Sequence, residues 1–269
     1  MLKNVTLGQF FPGNSFLHRI DPRMKLILTF ALIVIVFVSQ GFIGFGLILL
    51  FILMVALSSG IALKYILRGL KPILFIVLFT FVLNVFFQTG GEVIFRLGFV
   101  KITDDGLRLA FFLAARLILL VICSQLLTLT TSPIALTDGL ESLMRPLKKI
   151  HFPAHEIAMM MSIALRFIPT LMDEANKIMK AQMARGADFE SGNLVQRAKA
   201  MVPLLVPLFV GAFRRAEELA LAMEARCYHG GEGRTRMRQL KYGSRDAIAA
   251  GIMIALLAVI LLLNFFHVV

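Results

Sequence analysis

The chain has 269 residues, 58% of them hydrophobic and only 16% charged, and its mean hydropathy is +0.84. That composition lies outside the range of soluble globular domains and marks an integral membrane protein. The formal net charge of +12 comes without a soluble face of basic residues interleaved with aromatics, which argues against a nucleic-acid partner.

In chain order, the first 25 residues carry charge and lack an apolar run followed by a small-residue cleavage site, so the first membrane segment is expected to act as its own insertion signal. From Leu26 to Leu63 there is no charged residue. At about 1.5 Å per helical residue this run is too long for one crossing of a core about 30 Å thick, and Ser39-Gln40-Gly41 is expected to split it into two short spans. Further apolar runs cover Ile73 to Phe87, Leu107 to Thr130 (interrupted only by Arg116) and Ala247 to Phe266. The expected fold is an all-α integral membrane protein with about five transmembrane helices and a cytoplasmic domain of about three helices. Its organisation is 1–131 for spans one to four, 132–246 for the cytoplasmic insert and 247–269 for span five.

Sidedness follows the Lys and Arg excess on the cytoplasmic side. The first 25 residues carry four, the stretch around Lys64, Arg68 and Lys71 three, and Thr131 to Asp246 seventeen. The Gly90 to Arg108 loop has three, offset by Glu92, Asp104 and Asp105. The amino terminus and the long insert are therefore expected in the cytoplasm and the carboxyl terminus outside. Cys123, in a span, and Cys227, in the insert, cannot pair and suit a reducing compartment.

None of the spans contains an Asp, Glu or Lys, whereas ion-coupled carriers place a titratable carboxylate near the midplane. A secondary transporter is thereby disfavoured. The strongly polar span residues are Asn84, Arg116 and Gln125. Arg116 either snorkels outward, pairs with backbone carbonyls, or meets a substrate or partner.

Catalytic motifs fail in turn. "HEIAM" at His155 has Met159 where a zinc-protease helix needs its second His. His151 and His155 are separated by Pro153 with no third ligand near, and are read as solvated loop histidines. "HGGEGRT" at His229 follows no strand and lacks the Gly-Lys-Ser/Thr of a phosphate loop. No catalytic, cofactor or metal site is expected.

The insert is more informative. "TTSP" supplies Thr131 or Ser132 as a helix N-cap with Pro133 at the first helical position, and a short helix over about 134–147 follows. From Ile157, apolar residues recur at 161, 164, 165, 168, 171, 172, 175, 178, 179 and 183, with Asp173, Glu174, Lys177 and Lys180 opposite. Pro169 should kink this helix. A second stretch, after Pro203 and Pro207, is apolar at 208, 209, 212, 216, 219, 220 and 223.

Both stretches end in Ala-Arg-small: Ala184-Arg185-Gly186 and Ala225-Arg226-Cys227. Seven residues return a helix to within about 20° of its starting direction, so Leu171, Ile178 and Arg185 align, as do Ala212, Leu219 and Arg226. Each arginine stands at the tip of an apolar packing face. A cation there can satisfy the last helical carbonyls and the dipole. It can equally enter an acidic pocket on a partner, where its planar fork holds a carboxylate bidentately, and the duplication in one register favours this docking role.

"ALRFIPTLMDEANKIMKAQMARG" at 164–186, "LAMEARCY" at 221–228, "LHRIDPRMKL" at 17–26 and "LTLTTSP" at 127–133 together resemble the T component of energy-coupling-factor (ECF) vitamin transporters, the family that includes the cobalt-transport Q protein. The resemblance spans nearly the whole chain. It implies a transmembrane scaffold whose Arg185 and Arg226 each enter a groove on one of two ABC-type ATPases, flanked by Ala184, Gly186, Ala225 and Cys227. It also implies a substrate-binding membrane S component as partner, with several such subunits exchanged, for vitamin or metal uptake across the cell membrane. Cys227 stands where this family usually has Gly, and a left-handed cap there would cost about 1 to 2 kcal/mol, unless Gly230 ends the turn instead. Ten of the 14 methionines lie between Met144 and Met237, suiting either core filling between the helices or a face that accepts several partners. Three other readings are a permease subunit that forms the substrate pathway, a membrane-embedded enzyme and a structural anchor. The enzyme lacks a catalytic constellation, and the anchor leaves the duplicated arginines unexplained.

Overall fold

The computed structural model describes residues 10–87, 90, 93–97, 100–189, 193–231 and 240–266. The elements are α1 (Pro22–Val38), α2 (Phe42–Ser58), α3 (Leu63–Phe87), β1 (Val93–Leu97), β2 (Val100–Thr103), α4 (Asp104–Thr130), α5 (Pro133–Met144), α6 (Ala154–Ala184), α7 (Leu194–Ala225) and α8 (Ser244–Phe265). Short 3-10 turns cover Leu17–Arg19 and Arg145–Ile150. The architecture is the expected helical membrane fold, with one addition. The stretch read as a loop before α4 contains the antiparallel β1–β2 hairpin, which pairs Arg96 with Lys101 and Leu97 with Val100. Thr103 ends it and caps α4, accepting from the Gly106 N–H at 3.2 Å, and Asp104 and Asp105 complement the helix dipole.

The chain divides into two compact units, one of Gly8–Leu140 with Leu240–Val269 and the other built on Glu141–Gln239. In the first unit, α1, α2, α4 and α8 share a core centred on Ile35, Val36, Ile48, Leu119 and Ile260. Helix α3 lies against α4 and leaves Leu74, Phe75, Leu78 and Phe79 more than half exposed, as a lipid-facing helix requires. At Gly69 of α3, the Gln125 amide of α4 occupies the space a Cβ would need. By length and composition, α3, α4, α7 and α8 are each sufficient to cross a membrane, and α2 is a shorter apolar helix.

Several polar side chains in this unit donate to backbone carbonyls. The α1–α2 turn leaves carbonyls that no helix bond reaches. Asn264 Nδ2 donates to Val38 O at 2.8 Å, and an Arg116 terminal nitrogen donates to Ser39 O at 3.3 Å. Arg116 also lies over the rings of Phe37 and Phe45. Backbone pairing, one of the roles open to it, is made, while its Nε is buried with no hydrogen-bond partner among the described residues. Asn84 donates to Thr80 O of its own helix at 2.8 Å, since four residues along one helix puts donor and carbonyl on one face.

The amino-terminal ends of α1 and α8 are tied together. Asp21 caps α1 through the Arg23 N–H, while Asp246 accepts from the Asp21 N–H at 2.9 Å and from the Gly243 N–H at 2.8 Å. Arg23 pairs with Asp21 at 3.0 Å and stacks on Tyr242. Lys25 Nζ donates to Thr130 O at 2.9 Å and Thr131 Oγ1 at 3.1 Å, satisfying the end of α4. These bonds explain the polar residues of "LHRIDPRMKL": they hold helix ends.

In the second unit, α6 continues through Pro169. Helix α7 runs through both Pro203 and Pro207, where the sequence suggested a start after them. The reason lies upstream: Asn193 and Gln196 form a capping box that nucleates the helix at Leu194, and each proline removes only one backbone bond from a 32-residue helix.

Candidate functional site

Helices α6 and α7 end alike. Arg185 and Arg226 are the C-cap residues, at φ/ψ of −90°/6° and −95°/15°. The next residue is left-handed in both cases, Gly186 at φ +89° and Cys227 at φ +57°. The Gly186 and Ala187 N–H groups donate to Met183 O and Gln182 O at 3.0 Å each. The Cys227 and Tyr228 N–H groups donate to Glu224 O at 2.9 Å and Met223 O at 3.0 Å. Both are Schellman closures of one geometry.

Of the carbonyls at each helix end, Gln182 O and Met183 O on α6 and Met223 O and Glu224 O on α7 accept from backbone N–H groups rather than from an arginine. Arg185 and Arg226 are exposed, and among the described residues neither guanidinium has a hydrogen-bond or ion-pair partner. Ala184, Gly186, Ala225 and Cys227 are exposed too, so each arginine stands clear on a small-residue platform. Cys227 itself takes the left-handed cap, and Gly230, at φ +98°, is a second left-handed residue beyond it.

The turn after Arg226 is anchored by a residue whose expected role needs correction. His155 is not a solvated loop histidine. It is the second residue of α6, with Nδ1 3.0 Å from Glu141 Oε1 and Nε2 3.4 Å from the Tyr228 hydroxyl. Gly231 packs so closely on its ring that a Cβ would clash. The histidine therefore ties the start of α6 to the tail of α7. His155 and Tyr228 are 73 residues apart, so no local spacing could have revealed the pairing.

Helices α6 and α7 contact one another. Leu171, Ile178, Ala212 and Leu219 are all half-buried, and Ala175 and Leu204 are buried. An Arg215–Glu174 ion pair at 2.6 Å joins the helices, as a charge contact rather than an aligned hydrogen bond. Gly211 permits it, since a Cβ there would lie 3.0 Å from Glu174 Oε1. The opposite face of α7 exposes Val202, Val206, Phe209, Val210 and Phe213, each more than half accessible. Met160 and Met161 are likewise exposed.

The chain matches the family model CbiQ, described as cobalt transport protein, over residues 13–237. It is 58% identical over 258 residues to the energy-coupling factor transporter transmembrane protein EcfT of Thermosediminibacter oceani, covering 96% of this chain and 97% of that protein. The EcfT of Ruminiclostridium cellulolyticum is 53% identical over 265 residues, with 98% and 99% covered. That of Bacillus subtilis is 50% identical over 264 residues, with 98% and 100% covered.

Proposed function

The chain belongs to the CbiQ family of transporter membrane proteins as a transmembrane component of an ECF transporter, and from that premise we propose that it transmits ATP-driven motion from two ABC-type ATPases to a substrate-binding membrane S component. The observation that carries this reading is the pair of exposed arginines, unpartnered among the described residues, at helix closures of one geometry. Each presents a planar fork to an acidic groove on one ATPase, where a desolvated bidentate contact is strong and geometrically specific.

In this reading the protein is a scaffold and performs no chemistry of its own; ATP is bound and hydrolysed by the partners. Three polar span residues support that, since Asn84, a terminal nitrogen of Arg116 and Asn264 each donate to a backbone carbonyl. The amino terminus, α6 and α7 lie on the cytoplasmic side, as their Lys and Arg content favours, and the carboxyl terminus lies outside. On that side the apolar face of α7 meets the S component, and its flexible methionine neighbours suit exchange among several such subunits for different vitamins or metal ions.

The test is affinity purification of the tagged full chain from native membranes with identification of what accompanies it. Two ATPases and at least one small membrane subunit in stoichiometric amount are expected. Binding of transported substrate by the chain alone, with no ATPases attached, would replace the scaffold with a pathway-forming permease subunit.

A further inference from the structure

The Arg215–Glu174 contact occupies a particular place on its two helices. Glu174 precedes Arg185 by the same interval as Arg215 precedes Arg226. That interval is about three helical turns, so on each helix the ion-pair residue and the exposed arginine point within about 20° of one another, roughly 16 Å apart. The contact is therefore equidistant from the two arginines and shares their azimuth on both helices. Its side chains are 27% and 35% accessible, and the small Gly211 lets the carboxylate approach the α7 backbone.

We propose that the Arg215–Glu174 ion pair is a positioning pair, the pivot that fixes both the rotation and the reach of Arg185 and Arg226 relative to one another. This rests on reading those arginines as ATPase contacts. Apolar packing between α6 and α7 is tolerant of sliding and rotation, because dispersion contacts have no direction. A charge pair at the crossing has direction. It defines one register in which the carboxylate is compensated; a rotation of either helix by one residue position, about 100°, would leave Glu174 half-buried without its partner. The two arginines are thereby presented as a fixed pair to a two-subunit partner, which lowers the ordering cost of docking both.

The experiment measures the geometry directly. The full chain carrying Cys123→Ser and Ala184→Cys is spin-labelled at position 184 and at the native Cys227, placed in lipid nanodiscs, and the label-to-label distance distribution is recorded by pulsed electron resonance. One narrow distribution is expected. Glu174→Gln, which keeps the side-chain shape, should broaden or shift it; so should Arg215→Gln. The charge-exchanged double variant Glu174→Arg/Arg215→Glu should restore the narrow form. In unlabelled chains, each single charge reversal should weaken ATPase association by about fivefold, with recovery in the exchanged pair. An unchanged distribution in both Gln variants overturns the pivot whatever the ATPases do. Broadening with undiminished ATPase association would keep the pivot and refute the docking role of the arginines.

Discussion

Replacing Cys227 with Gly should tighten the end of α7. At φ +57° the cysteine pays the left-handed penalty, about 1 to 2 kcal/mol for a residue with a Cβ. Its side chain is exposed, so no packing is lost with it. Against the relief stands the greater freedom of glycine in the opened chain, about 0.4 to 1 kcal/mol. The balance favours the closed turn by about 0.5 to 1 kcal/mol, and since every 1.4 kcal/mol is tenfold, local opening becomes roughly two- to fivefold rarer. Cys227→Val should do the reverse, because β-branching adds to the strain. The readout is amide hydrogen exchange at residues 227 and 228, whose N–H groups close the turn onto Glu224 O and Met223 O. Slower exchange in the Gly variant and faster exchange in the Val variant are expected. Equal or faster exchange with Gly would refute the strain assigned to Cys227.

Asn264→Leu should lower thermal stability in detergent by about 1 to 3 kcal/mol, since it strands Val38 O away from water, whereas Asn84→Leu should be near neutral because Thr80 O keeps its helical partner. Paired melting curves decide it. His155→Ala should speed amide exchange over residues 226–231 and leave the Gly186 turn unaffected, because only the α7 closure is anchored through Tyr228 and Gly231. Gly69→Leu should disrupt assembly of the membrane helices, and Gln125→Ala should partly rescue it by vacating the occupied space, read from the yield of monodisperse protein. A membrane-impermeant thiol reagent should label Cys227 from the cytoplasmic side and leave Cys123 untouched, as their exposed and buried placements require.

The duplicated arginine register was legible because helical periodicity is local: residues 171, 178 and 185 speak for one face without knowledge of the rest. The sequence left the end of α7 open between Cys227 and Gly230, and the structure has both residues left-handed. What escaped reading was non-local or overruled by context. The prolines at 203 and 207 looked like a helix start, but the Asn193–Gln196 box outweighs them. The β1–β2 hairpin was too short to signal itself within a stretch judged by its charge. The backbone partners of Arg116 and Asn264 lie 77 and 226 residues away, and Glu174 finds its partner Arg215 on another helix. Polar residues whose partner comes from another element give no spacing to read.

The central claim is that Arg185 and Arg226 join this chain to its ATPases. The most direct measurement is recovery of the ATPase subunits, and of ATP hydrolysis, with the tagged full chain carrying Arg185→Ala, Arg226→Ala or both. Each single change should weaken recovery and the double change should abolish it, with the chain still inserted in the membrane at normal level; Lys at either position should rescue only in part, because it lacks the planar fork. Undiminished recovery of the ATPases with the double variant would contradict the account.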